Sequence, residues 1–181
     1  MTSVESAAAM TARRPRPPSV GAPGGRRRWR LRRASGSDWK VLVDHRHRMF
    51  AELGGRTPRQ LAVHDGLYKR RMLPRLNSGE LVELLIEAPG TGVVASGGIW
   101  FRPEQPRPEA AQLDIPYLLS MYTEPEFRGQ GLAGRIVREA VRICRAQGYG
   151  RVVLHAAPPG RRLYRRAGFE RTWEMRLALR R

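Results

Sequence analysis

The chain has 181 residues, enough for one domain with a hydrophobic core, and its formal net charge is +18. Nearly all of the positive charge is arginine, because Lys40 and Lys69 are the only lysines. The single cysteine, Cys144, excludes an internal disulfide bond, and no apolar stretch approaches the roughly 18 residues of a membrane-spanning helix. No group of cysteines and histidines is spaced like a metal site, so we expect no metal.

Residues 1–27 are rich in alanine, proline, glycine and arginine and show no periodicity. Such a segment cannot bury a core, so we predict a disordered basic tail followed by one domain over residues 28–181. The first residues contain no apolar core preceded by positive charge, and one unpaired cysteine is typical of a reducing compartment. We therefore expect a cytoplasmic protein without a membrane partner.

The first half of the domain predicts a strand followed by two helices. Apolar and charged residues alternate over residues 29–34, as in a strand. A helix is predicted over residues 39–53, ended by a pair of glycines. Thr57 followed by a proline is typical of an N-cap and the first helical position, and this predicts a second helix over residues 58–76. Pro74 is expected to end or kink that helix.

Two paired strands are predicted next, over residues 80–88 and 91–101, joined by a Pro-Gly turn. Gly97 and Gly98 lie inside the second strand, and adjacent glycines there indicate a bulge or a close backbone approach. Residues 102–109 contain three prolines and are predicted to form a loop.

The centre of the chain predicts a strand, a tight loop and a helix. Residues 115–121 form an apolar run suited to a buried strand. From Leu132 the apolar residues recur at helical spacing, with arginines on the opposite face. The loop between them contains Gly129, Gly131 and Gly134. Because the first N–H groups of a helix lack internal partners and its N-terminus is electropositive, this junction predicts a phosphate site with Arg128 at its edge.

The loop is neither a nucleoside-triphosphate loop nor a dinucleotide fingerprint, since it lacks the Gly-Lys-Ser/Thr ending and the three-glycine spacing. It reads Arg128-Gly129-Gln130-Gly131-Leu132-Ala133, preceded by Glu124-Pro125-Glu126-Phe127. This resembles the acetyl-CoA pyrophosphate loop of the GNAT superfamily of N-acetyltransferases. A second match lies downstream: a predicted strand over residues 151–157 precedes Arg162–Phe169, which resembles the short GNAT helix that carries a tyrosine and stops at Gly-Phe before a last strand.

The resemblance covers residues 115–179 and implies the fold. That fold is α/β (α+β), with a mixed, mostly antiparallel central sheet flanked by helices and a splay between the fourth and fifth strands. It also implies acetyl-CoA as co-substrate, with pantetheine against the fourth strand and pyrophosphate on the loop. The implied cofactor-binding residues are Met121, Tyr122, Thr123, Arg128, Gly129, Gln130, Gly131, Leu132, Ala133 and Gly134. A backbone N–H near residues 119–121 would polarise the thioester carbonyl.

The resemblance also implies catalytic groups. Tyr164 matches the family's general acid for the departing thiolate. The general base for the amine is not assigned: it is one of several residues expected near the pocket, or a water relay takes its place. Glu124 is our leading candidate. The other candidates are Asp114, Tyr117, Ser120 and His155. The sequence departs from the family at Ala157, where an asparagine that touches pantetheine is frequent, seven residues before the tyrosine.

The function implied is acetyl-CoA-dependent N-acetyl transfer to a primary amine of a small molecule or peptide, by direct attack in a ternary complex. An acyl-CoA-binding module without catalysis is the alternative. Arginine-rich nucleic-acid binding is a third hypothesis, but the arginines are scattered over every predicted element, so no specific nucleic-acid partner is expected. The chain is expected to be a monomer or homodimer.

Overall fold

A computed structural model describes residues 29–106, 108 and 112–179. The predicted tail over residues 1–27 and part of the predicted loop over residues 102–109 lie outside the described residues. In chain order the elements are β1 (Arg30–Arg33), α1 (Trp39–Leu53), α2 (Pro58–Ser78), β2 (Leu81–Ala88), β3 (Gly92–Pro103), β4 (Asp114–Thr123), α3 (Leu132–Ala146), β5 (Val153–Leu154) and α4 (Arg161–Arg166). None of these helices is long and apolar enough to cross a membrane.

The five strands form one sheet in the order β1-β2-β3-β4-β5. All neighbours are antiparallel except β4 and β5, which are parallel. Pairing between those two is confined to Tyr117 with Val153 and Leu118 with Leu154, whereas β4 continues to Thr123. The strands therefore separate beyond Leu118. The predicted fold class, including the splay between the fourth and fifth strands, is confirmed.

The main core lies between the sheet and α3. The apolar face of this helix is buried, as its spacing predicts, and its fully covered residues are Leu132, Ile136, Val137, Ala140, Ile143 and Cys144. They pack against β2, β3 and β4, where residues such as Leu84 and Ile99 have no exposed surface. Each such side chain contributes about 1.5–3 kcal/mol through burial, so α3 is firmly attached to the sheet. The loop that precedes α3 is therefore held at a fixed place.

Helices α1 and α2 cover the opposite face of the sheet. Helix α1 has the predicted bounds. At the start of α2 the Thr57 hydroxyl accepts from the Gln60 N–H at 3.2 Å, and the Gln60 side chain accepts from the Thr57 N–H at 2.8 Å. This reciprocal cap is the reason the helix begins where the sequence predicts. Pro74 does not end the helix, which continues to Ser78.

The strand pairing of β3 with β4 contains a bulge. Ser96 pairs with Tyr122 and Gly98 pairs with Leu119, so two residues of β4 oppose Gly97 alone. A Cβ on Gly97 would collide with the Met121 sulfur, and a Cβ on Gly98 would lie 2.5 Å from a carboxylate oxygen of Glu83. The predicted bulge is therefore confirmed, whereas the groups that approach the two glycines are side chains and not backbone.

Two predictions about the end of the chain are wrong. The strand expected over residues 151–157 is reduced to Val153–Leu154, and residues 170–179 form no strand. Trp173 and Met175 are more than 90 % exposed. Because β5 is so short and is followed by two prolines, it offers few backbone groups to which another strand could bond.

Candidate active site

The loop between β4 and α3 is shaped by glycines in the left-handed conformation. The φ angles are +76° at Gly129 and +79° at Gly131, values that side chains rarely adopt. A Cβ at either position would meet no heavy atom within 4 Å. The loop therefore presents an open backbone surface to solvent, so a ligand can approach it closely.

The same loop presents backbone donors. Gly131 is the N-cap of α3, and the first bond into the helix runs from the Arg135 N–H to the Gly131 carbonyl at 3.1 Å. The N–H groups of Leu132, Ala133 and Gly134 precede that bond and so have no acceptor within the helix. Together with the helix dipole, these groups form a seat for an anion.

Arg128 connects this loop to α1. Its Nη2 donates to both carboxylate oxygens of Glu52 at 2.7 and 2.8 Å, and its Nε donates to the Thr123 carbonyl at 2.9 Å. The guanidinium also lies 5.6 Å from the centroid of the Tyr122 ring. The hydrogen bond from Arg128 holds the pKa of Glu52 below its usual range. The sequence did not predict this ion pair, which fixes the loop against the first helix.

Tyr164 lies on α4, close to the start of α3. The neighbouring Leu163 has a methyl carbon 3.6 Å from the place of a Cβ on Gly134. The Tyr164 ring packs edge-on to the Phe169 ring, with 5.9 Å between the ring centroids. A Cβ on Gly160 would lie 2.8 Å from a ring carbon of Tyr164. Burial raises the pKa of Tyr164 to about 12. The phenol therefore stays protonated at neutral pH and can act as a proton donor.

Glu124 follows the last residue of β4 and is held by α1. Its Oε2 accepts from Arg48 Nη1 at 2.7 Å, and its Oε1 lies 3.3 Å from His45 Nε2 without hydrogen-bond geometry. His45 is buried and is hydrogen-bonded through Nδ1 to the Ser96 hydroxyl at 2.9 Å. Burial first, then the Arg48 charge, lowers the pKa of His45 to about 4, so its ring is neutral at neutral pH.

The other base candidates are spread along the sheet. Asp114 accepts from the Tyr149 hydroxyl at 2.7 Å, at the end of β4 away from the loop. Tyr117 and His155 are hydrogen-bonded to each other. Ser120 is at the bulge, where its Oγ accepts from an arginine on α1 at 2.6 Å. Of these candidates, the structure places Ser120 nearest the strand segment implied to hold the thioester.

The sequence reasoning missed a buried polar cluster beside Ser120. It contains Arg46 from α1, Tyr68 from α2 and Glu83 from β2. Glu83 is only 1 % exposed, and its Oε1 accepts from the Tyr68 hydroxyl at 3.1 Å. One signal could have found it: Glu83 is a single carboxylate inside the apolar run at residues 81–86.

The family of this chain follows from a profile match. The profile of the acetyltransferase (GNAT) family matches residues 39–169, which run from the first residue of α1 to Phe169. The chain belongs to the GNAT family. This match includes the glycine loop, Tyr164 and the three elements that supply the buried cluster.

Solved structures support the same GNAT fold. A GCN5-related N-acetyltransferase from Ralstonia eutropha has 28 % identity and a TM-score of 0.76, over 83 % of this chain and 98 % of the other. A predicted acetyltransferase from Clostridium acetobutylicum, solved with acetyl-CoA, has 27 % identity and a TM-score of 0.75, over 84 % and 96 %. An aminoglycoside 6′-N-acetyltransferase from Acinetobacter haemolyticus has 17 % identity and a TM-score of 0.62, over 84 % and 98 %, which shows the fold alone. No curated protein matches the chain.

The segment before α4 contains Ala157, at the position where the resemblance implies an asparagine. It is followed by a 3₁₀ turn at Pro158–Gly160 that leads directly into α4. The turn brings Gly160 against the Tyr164 ring. Tyr164 is therefore tightly packed against this turn.

Proposed function

We propose that this protein is an acetyl-CoA-dependent N-acetyltransferase that acts on a primary amine of a small molecule or peptide, by direct attack in a ternary complex. The observation that carries the proposal is the open glycine loop at the N-terminus of α3, beside the gap between β4 and β5. The solved acetyltransferase from Clostridium acetobutylicum, which contains acetyl-CoA, supports the choice of co-substrate.

The loop and the splayed strand would hold the co-substrate along its length. The N–H groups from Gly129 to Gly134 would receive the pyrophosphate. The backbone of β4 at residues 121–123, where β5 no longer pairs with it, would bind pantetheine as an added strand. The bulge around Ser120 interrupts the ladder with β3, so a backbone N–H there could donate to the thioester oxygen and stabilise negative charge on it.

Tyr164 would donate a proton to the sulfur as the thiolate leaves. A thiol has a pKa near 8.5, so a nearby acid assists its departure at neutral pH. With its pKa raised to about 12 by burial, Tyr164 remains protonated over the physiological range and is regenerated readily after donation.

Glu124 is the sequence-derived candidate for removing a proton from the amine. Its carboxylate is at the junction of β4 and the glycine loop and is 15 % exposed. Arg48 fixes one of its oxygens, which leaves the other directed toward neutral His45. On this position we retain Glu124 as the proposed base.

A panel of amines tests the proposal. The protein is incubated with acetyl-CoA and one amine at a time: spermidine, kanamycin, glucosamine 6-phosphate, or a lysine-containing peptide with a free N-terminus. Thiol release is followed continuously, and the products are analysed by mass spectrometry. We expect at least one amine to gain one acetyl group on nitrogen at the rate of thiol release. Binding of acetyl-CoA without acetylation of any amine would contradict the proposal and favour a sensing module.

A further inference from the structure

Arg46, on α1, is a partly buried cation at the bulge of β4. Its Nη1 donates to Ser120 Oγ at 2.6 Å. The guanidinium carbon also lies over two aromatic rings, 4.8 Å from the centroid of Phe50 and 4.5 Å from the centroid of Tyr68. The serine and the rings hold the guanidinium against the strand segment that is implied to bind the thioester. Arg46 therefore lies close to the place where an acceptor must react.

No carboxylate among the described residues forms an ion pair with this arginine. The two carboxylates that act on it through their charge are Glu83 and Asp65. Asp65 is hydrogen-bonded to His47 at 2.6 Å, and Glu83 Oε1 accepts from the Tyr68 hydroxyl at 3.1 Å. Burial raises the pKa of Glu83 to about 8, so Glu83 is largely protonated at neutral pH. The charge of Arg46 is therefore not cancelled by the carboxylates near it.

The Arg46 guanidinium keeps unused hydrogen-bond donors. Its Nε is buried without a hydrogen-bond partner, and its Nη2, which is not sealed from solvent, has no partner in the part of the chain that the structure describes. Burial lowers the pKa of Arg46 below its ordinary value, which reflects this incomplete compensation. Charged groups removed from water are ordinarily paired. The free N–H groups of Arg46 can instead donate to an anion of the substrate.

The side chains around the Phe50 ring add positive charge and no negative charge. Arg56 lies over the same ring, 4.7 Å from its centroid, and His64 packs edge-on to it with 5.1 Å between the centroids. His64 Nδ1 is buried and has no hydrogen-bond partner. Burial first, then the Arg46 charge, lowers the pKa of His64, so its ring is neutral at neutral pH. These groups between α1 and α2 favour an anion over a cation.

Ser120, which anchors Arg46, lies at a strained point of β4. Its φ is +53°, and among the described residues it is the one non-glycine residue in the left-handed region. Left-handed backbone is unfavourable for a side chain and is concentrated at functional sites. Helix α3 packs on the other face of the sheet. The face that carries Arg46 is therefore the one from which an acceptor can reach the thioester.

We propose that Arg46 binds a carboxylate of the acceptor, so that the substrates of this protein are α-amino acids. This inference rests on the proposed N-acetyltransferase function and names the class of its acceptor. Nη2 and the second proton of Nη1 donate two parallel hydrogen bonds to the carboxylate, a geometry that suits the planar guanidinium. In an α-amino acid one carbon carries both the carboxylate and the amine. A carboxylate on Arg46 therefore places the nitrogen beside the thioester on β4.

A carboxylate fits this site better than a phosphate because a single guanidinium is in contact with it. Phosphates in proteins are commonly bound by clusters of arginines or by the N-terminus of a helix. Around Arg46 the contacting side chains of Ser120 and Tyr68 are neutral, and Arg56 donates to the Gly54 carbonyl at 2.7 Å. One guanidinium matches the single charge of a carboxylate.

Matched pairs of an amino acid and its decarboxylated amine test the proposal without any variant. L-Phenylalanine is compared with phenethylamine, and L-histidine with histamine, in the assay of thiol release from acetyl-CoA. The members of each pair carry the same side chain and differ in the carboxylate. We expect kcat/KM to be about 10- to 100-fold higher for the amino acid, which is the effect of hydrogen bonds to a charged group.

Arg46→Gln removes the cation and should bring the ratio of kcat/KM within each pair close to one. Arg46→Lys keeps the charge without the planar fork, so its ratio should be intermediate. Arg75→Gln is the matched control, because Arg75 lies 5.8 Å from the centroid of the Trp100 ring but is paired with Glu80 at 3.5 Å. It should keep the wild-type ratio. Since both substrates are measured on the same preparation, partial unfolding of a variant does not change the ratio.

Failure of the carboxylate site is distinguishable from failure of the proposed function. If wild type acetylates amines without regard to the carboxylate, or Arg46→Gln lowers kcat/KM equally for both members of a pair, the site is wrong and the proposed function stands. A preference for glucosamine 6-phosphate over every amino acid would also overturn the carboxylate and favour a phosphate. If wild type binds acetyl-CoA but acetylates none of these amines, the proposed function is wrong and the substrate class with it.

Discussion

Replacing Gly131 by glutamate is expected to abolish measurable binding of acetyl-CoA. Gly131 caps α3 with φ +79°, and a Cβ there points into open space. A carboxylate at this position would lie where the pyrophosphate is proposed to sit. Two unit charges about 4 Å apart repel by about 4 kcal/mol at an effective dielectric constant of 20, which is roughly a thousandfold in Kd. Isothermal titration calorimetry measures the loss directly.

The control for this variant is Gly131→Asn. Asparagine tolerates left-handed backbone better than most residues and introduces no charge, so it should weaken binding far less than glutamate. Both variants should melt a few degrees below wild type, the glutamate variant lower than the asparagine variant, because a side chain in left-handed backbone costs about 1–2 kcal/mol even though no neighbouring atom is displaced. If the glutamate variant binds acetyl-CoA as tightly as wild type, the phosphates are not on this loop.

Tyr164→Phe is expected to lower kcat about 100- to 1000-fold with little change in the KM for acetyl-CoA. The phenol is proposed to protonate the departing thiolate, and phenylalanine keeps the ring packing on Phe169 and Gly160. Removing a partly buried hydroxyl should not destabilise the fold. Steady-state kinetics and calorimetry together show whether catalysis is lost while binding is retained.

Tyr149→Phe is the matched control for the loss of a tyrosine hydroxyl. Tyr149 donates to Asp114 at 2.7 Å, at the end of β4 away from the glycine loop. Its variant should lose about 1 kcal/mol of stability and keep wild-type kcat. A decrease in kcat of similar size in both variants, or none in Tyr164→Phe, would contradict the role of Tyr164 as the acid.

The parts of the fold that the sequence predicted well depend on local interactions. The row of apolar residues from Leu132 to Cys144 specifies α3 and its buried face, because the helix period places them together regardless of the rest of the chain. Thr57 with Gln60 defines the start of α2 in the same way. The glycine loop was predicted with them, since its residues are consecutive in the chain.

The parts that the sequence did not predict depend on contacts between distant segments. Ser120 was a candidate, but its hydrogen-bond partner Arg46 and the nearby pair of Tyr68 and Glu83 come from three other elements, and only the sheet register and the bulge bring them together. Likewise, the ion pair between Arg128 and Glu52 crosses from the loop to α1. The prediction of a last strand was wrong for a related reason. A strand forms only beside a partner edge, and the length of β5 cannot be read from its own residues.

The Tm of the full-length protein with and without acetyl-CoA tests the central claim most directly. The buffer contains enough salt to screen the net charge of +18, and ATP at the same concentration controls for non-specific binding of phosphates to arginines. At a hundredfold excess over Kd, binding adds about 2.7 kcal/mol, or roughly 5–10 °C for a domain of this size. We expect that increase in Tm with acetyl-CoA and little increase in Tm with ATP. No increase with a folded protein, or an equal increase with ATP, would contradict the assignment of the loop as an acetyl-CoA site.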